Sequence, residues 1–210
     1  MNWYAIRQAV LAVLITVSGA CPLAGGADDE RDWPCEQALV PEIDAAVVWD
    51  GPDISGLSGQ WAKDPQIATA VRRLTARRYE RETAEAVVEA FAATQPASEG
   101  RDRQLSQLFA GVLEVMNDDR RRLIDGILRY ARDQQRRAEV LGTHLAEIAE
   151  LESDPSDAAR TRLHDLQQQV TLEQRMFDDR EHALPFLCTR PREVEQRVGE
   201  LARMIAMHLQ

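Results

Sequence analysis

A chain of 210 residues, 44% hydrophobic and 29% charged, has the make-up of one folded domain with room for an appendage, and not of a disordered polymer. Its formal net charge of −10, from 35 acids against 25 bases, argues against nucleic acid as a partner, because a phosphate-binding surface needs a local excess of cations. Arginine clusters such as Arg120–Arg122 and "RRLTARRYER" at 72–81 lie beside acids, the pattern of a solvated helix face.

The first predicted element is a leader. "MNWYAIRQAVLAVLITVSGACPLAGGA" opens with a polar stretch carrying Arg7, continues with an apolar run from Ala9 to Val17, and ends in small residues up to Ala27. That is the layout of a secretory signal peptide, and the run is too short for a membrane span of about 20 residues. Cleavage after Ala27 releases a chain beginning at Asp28. The alternative is a bacterial lipobox at Ser18-Gly19-Ala20-Cys21, with Cys21 lipidated and the protein held at a membrane. Either route implies a periplasmic or secreted protein.

Export changes how the cysteines are read. Beyond the leader only Cys35 and Cys188 remain, and in an oxidising compartment such a pair is most simply one structural disulfide. No CxxC, haem-attachment or zinc-finger spacing is present, and neither cysteine has an activating base nearby in sequence.

Residues 28–63 hold Trp33, Trp49 and Trp61 in a segment rich in Pro, Gly and Asp, so an extended arm is expected there. "AAVVW" at 45–49 is read as its extended part, bounded by Pro41 and the "DGPD" turn at 50–53. An arm of this kind has no core of its own, and its tryptophans are expected to anchor it in a groove of the helices, with Cys35 reaching Cys188. The sharper alternative leaves one or more tryptophans exposed for a ligand or partner.

From Asp64 to the end, residues 64–210, the apolar spacing predicts a helical bundle. Asp64-Pro65 is an N-cap and first-turn signal, followed by the stripe Ile67, Val71 and Leu74. A short helix is expected over 83–93 and a break at "TQPASEG", 94–100. A long helix then runs over 102–152. Ile124, Ala131, Ala138 and Leu145 recur every seven residues, with Ile127, Gln134, Leu141 and Ile148 three positions on, which is a two-position coiled-coil seam. "ESDPSDAAR" marks a sharp turn. A returning helix repeats the seam with Leu163, Val170, Phe177 and Leu184, and with Leu166, Glu173, Arg180 and Leu187. Pro185 and Pro191 are expected to end it, before a last helix over 192–208. The fold class is therefore all-α, a long antiparallel hairpin packed with shorter helices.

Candidate chemistry is sparse. His144 and His164 lie at similar heights on such a hairpin, and with Glu147 they make a possible site for a divalent transition metal; the alternative is ordinary surface histidines. No nucleophile elbow, phosphate loop or di-iron Glu-x-x-His pair appears, so catalysis and an organic cofactor are not expected. The expected role is a periplasmic interaction or scaffold protein, with a metal-binding or metal-stress protein as the alternative. Its partner would be another periplasmic or membrane-associated protein. A homodimer is also expected, through apolar faces that include Leu128, Val140 and Met176.

Overall fold

The computed structural model describes residues 26–210 apart from Tyr79 and residues 96–98. Most of the expected leader, with Cys21, lies outside the described residues. Among the described residues six α-helices follow one another: α1 (Gly26–Asp32), α2 (Ala45–Val48), α3 (Pro65–Leu74), α4 (Arg81–Ala93), α5 (Glu99–Ser153) and α6 (Asp157–Ala206), with a 3₁₀ turn at Trp61–Lys63. No strand occurs among the described residues. The protein is an all-α antiparallel hairpin of two long helices, with the shorter elements packed on one end.

α5 has 55 residues, about 80 Å at 1.5 Å per residue. Nothing in its sequence stops it: no proline intervenes, and most positions are good helix formers. It ends at Asp154-Pro155-Ser156, where the Asp154 carboxylate accepts from Ser156 N and the Ser156 hydroxyl from Ala159 N. That cap starts α6 and reverses the chain. α3 starts the same way, the Asp64 side chain accepting from Gln66 N and Ile67 N with Pro65 in the first turn.

α5 changes character along its length. Between Leu105 and Leu128 it is buried on most sides by α3, α4, residues 40–61 and the end of α6. This is the head, whose core joins Val71 and Leu74 of α3, Val88 and Phe91 of α4, Phe109 and Val112 of α5, and Leu201 and Ile205 of α6. Beyond Leu128, α5 leans on α6, with α1 bound at the base of the arm through Asp29 and Asp32 to Arg132. Residues 129–153 and 157–187 form a free arm of two helices.

Two sequence expectations are corrected. Pro185 and Pro191 do not end the returning helix; both lie inside α6. Each proline forfeits one N–H donor, but the seam continues on either side through Leu184, Leu187, Val194 and Val198. Surrounding groups also draw on the local carbonyls: Arg120 Nη1 donates to Pro191 O at 2.5 Å and Gln37 Nε2 to Cys188 O at 2.6 Å. Packing outweighs the local penalty. The second correction concerns the arm of 28–63, which is not extended throughout. Residues 29–32 belong to α1, and Ala45–Val48 forms one helical turn capped by Asp44, whose carboxylate accepts from Ala46 N. A cap available at the first position overrides the β-propensity of two valines.

Candidate interaction surface

Residues 33–61 act as a strap across the head. A disulfide joins Cys35 to Cys188, with Cα atoms 5.6 Å apart, and Gln37 adds its bond to the Cys188 carbonyl beside it. Trp33 is half-buried there and donates from Nε1 to Gln37 O. Further along, α5 grips the strap's backbone. Asn117 bonds both the N–H and the C=O of Ile43, and Arg120 Nε donates to Val40 O at 2.9 Å. Arg120 is itself buried, and burial draws its pKa down while Glu195, 3.7 Å away, opposes the shift. Its guanidinium links strap, α5 and α6 at one point.

Of the other two tryptophans, Trp49 is a core residue and Trp61 packs half-buried against the core. Trp49 stacks on Phe109 with ring centroids 4.3 Å apart and planes within 9°, and its Nε1 donates to Pro52 O. Trp61 lies over Gly111, where an added Cβ would sit 2.7 Å from its Cγ. Asn117 and Arg120 were not singled out in the sequence: both lie in the polar run 117–122, and only the fold turns these two inward.

The free arm has a thin, partly polar seam. Leu166 and Val170 are buried, but Gln134 is buried as well, bonding Phe177 O and the Glu181 carboxylate. Arg180 lies over the Tyr130 ring at 4.1 Å and donates to Gln134 and to Asp133. Two expectations fail here. Leu145 does not lie in the seam and is 50% exposed, because the hairpin's contact face drifts around α5 toward Leu141, His144, Ile148 and Leu151. Leu128 is not a surface residue either; it is buried within the chain.

The residues read as metal ligands go to separate partners. His144 Nδ1 meets Glu173 Oε2 at 2.8 Å, Glu147 accepts from Arg162 Nε at 2.8 Å, and His164 Nε2 bonds Gln168. The Arg162 contact is the main cause holding the Glu147 carboxyl below its ordinary range. The structure does not bring His144, Glu147 and His164 together, and among the described residues no three His, Cys, Asp or Glu side chains group as a metal site.

Among the charged residues on its surface, the arm leaves several apolar side chains in water. Val140, Leu172, Met176 and Phe186 are 50%, 60%, 48% and 74% exposed. At the base of the arm a groove of about 690 Å³ opens between α5 and α6, lined by Arg77, Arg122, Arg190 and Arg197 with Asp119, Glu193 and Glu200. Arg122 pairs with Asp119 and Arg190 with Glu193, all four side chains well exposed. No helix among the described residues is long and apolar enough to cross a membrane. Comparison with protein families, curated proteins and solved structures finds no match.

Proposed function

We propose that the protein is an exported, non-catalytic interaction module whose free α5–α6 arm is its docking element. The observation that carries this reading is the arm itself. A two-helix hairpin some 25 residues long buries little, keeps polar residues in its seam and leaves Val140, Leu172 and Met176 in water. Exposed apolar clusters of this kind on a regular scaffold mark contact surfaces. The head supplies the rigidity, through its core, the strap and the disulfide.

Export is supported by the leader pattern in residues 1–27 and by the disulfide, which needs an oxidising compartment. The reading is tested in the native host by photo-crosslinking from positions 140 and 172, with position 89 on the exposed face of α4 as control. Cross-links confined to the arm positions are expected; equal capture at 89, or none on the arm, removes the docking role. The mass of the mature chain tests export: a start at Asp28 or at a lipidated Cys21 is expected, and an intact Met1 overturns it.

A further inference from the structure

The junction between head and arm carries a weak point in both long helices. Gln134 of α5 bonds Phe177 and Glu181 of α6, and Arg120 bonds Pro191. The helices run antiparallel, so Gly126, between those two contacts, lies level with Pro185 and its neighbours. Pro185 has no N–H for the Glu181 carbonyl, and its ring crowds that carbonyl. Gly126 answers no packing need: apart from the backbone of its own helix, an added Cβ would meet only the Arg129 guanidinium, at 3.9 Å. A glycine there loosens the helix without relieving a contact. Helices bend at prolines and glycines of this kind. Gly142 also faces open space, but it is far from both prolines of α6, and Pro191 is buried in the head beneath Arg120. The two weak points therefore coincide at one level. That level is the root of the arm, where the head stops covering α5.

The N-terminal segment crosses the same level. On the head side, Cys35 is bonded to Cys188, just past Pro185, and Gln37 donates to the Cys188 carbonyl. On the arm side, Asp32 accepts from Arg132 Nε and Asp29 from Arg132 Nη2, each at 2.6 Å. Arg132 lies beyond Gly126 by about 9 Å along α5. Its neighbour Asp133 is engaged by Arg136, Arg137 and Arg180, so the carboxylates that hold Arg132 are those of α1. The two attachments differ in kind. The disulfide is permanent in an oxidising compartment, whereas partly exposed ion pairs are each worth about a few-fold in an equilibrium and weaken with salt.

We infer that the arm pivots on the head at Gly126 and Pro185, and that α1 is a releasable brace across the pivot, fixed to the head by the Cys35–Cys188 bond and latched to the arm through Arg132. With the latch closed the arm is held at one angle. With it open the arm swings, while the helix pair stays intact on either side of the pivot. Such a hinge confines the backbone change to a few residues and lets rigid bodies move around it. The latch is the weaker attachment, so it opens first. Raised salt, or a carboxylate that competes for Arg132, is enough to open it. The device governs how the arm moves and holds whatever the arm contacts, so it stands apart from the docking role.

The test is the distribution of distances between two spin labels in the disulfide-bonded protein. The labels are attached through ketone side chains at positions 89 and 149, exposed on α4 and near the tip, so that the cysteines are untouched. A second pair at 135 and 149, both exposed on the arm, reports on the arm itself. At low salt the 89–149 distribution should be narrow. Asp29→Asn with Asp32→Asn should widen it by at least about twofold, with helicity by circular dichroism unchanged. High salt should widen it in the parent protein and add nothing in that variant. Adding Gly126→Ala and Pro185→Ala should narrow it again, and the 135–149 pair should stay narrow throughout. A width that ignores both the aspartate substitutions and salt overturns the brace, as does a distribution already wide at low salt. A widening that Gly126→Ala with Pro185→Ala leaves undiminished, or that appears between 135 and 149, overturns the pivot.

Discussion

The side-chain amide of Asn117 closes two hydrogen bonds with the backbone of Ile43, accepting from its N–H at 2.8 Å and donating to its C=O at 3.1 Å. The strap residue is buried and has no strand neighbour, so a helix side chain supplies what a neighbouring backbone would. Asn117→Ala leaves both Ile43 groups unpaired out of water and is expected to cost about 2–4 kcal/mol, at about 1–3 kcal/mol for each stranded group less whatever water recovers. Chemical denaturation with an unchanged slope checks it.

Two glycines on α5 should respond in opposite directions. Gly142 faces open space, so Gly142→Ala is expected to stabilise by about 0.5–1 kcal/mol through helix propensity. At Gly111 a new Cβ would stand 2.7 Å from both Trp61 and Val71, and overpacking of about 1–3 kcal/mol should exceed that gain. Thermal unfolding of the two variants side by side separates the effects.

Pro185 is exposed inside α6, whereas Pro191 is buried under Arg120. Pro185→Ala should therefore raise stability by about 1–3 kcal/mol by restoring a helix hydrogen bond and removing a clash. Pro191→Ala should gain less, because it opens space in a packed site. Equal gains at both positions would contradict this account of how α6 passes through its prolines.

Cys35→Ser, or reduction, removes a cross-link spanning 153 residues, worth roughly 4–5 kcal/mol on chain-entropy grounds. Trp49 and Trp61 are held by the core and by Asn117 and Arg120, not by the disulfide. Only Trp33 and its neighbours depend on it directly. A red shift in emission confined to Trp33 is expected, read from variants that keep one tryptophan each, with far-UV helicity largely retained. A shift from Trp49 would mean that the whole strap peels away.

The arm should be the acid-sensitive part. Glu173 is held below its ordinary pKa, chiefly by Gln169 and then by His144, and Glu147 is lowered by Arg162. Carboxylates with depressed folded-state values contribute stability above the unfolded value of about 4.3, and that stability is lost as pH falls through the folded value. Arm helicity should therefore fall below about pH 4.5, and Glu173→Gln should flatten part of that dependence. Circular dichroism from neutral to acid pH measures it.

The helix starts were legible because they rest on local chemistry. Asp64-Pro65 and Ser156 cap where their residue types predict, and the long helix lies within three residues of its expected ends. Features set by tertiary packing were not legible. Pro185 and Pro191 look like stops until the seam around them is known. Leu145 looks like a seam residue until the contact face drifts. Arg120 looks like part of a solvated charge cluster, yet it sits under the strap bonding two backbone carbonyls. The groove was missed because its arginines come from three separate stretches, and only their heptad spacing on α6 hinted at a shared flank.

The Cys35–Cys188 bond also decides how the molecule bears tension. It closes a covalent ring containing nearly all of the strap, α3, α4, the whole of α5, the tip and most of α6. Force applied along the backbone from outside passes through the two sulfurs and bypasses everything within the ring. Among the described residues, those before Cys35 on one side, α1 included, and those after Cys188 on the other are in line with the pull. An arm with a weak seam is thus mechanically shielded: tension can draw on its anchorage without unzipping it.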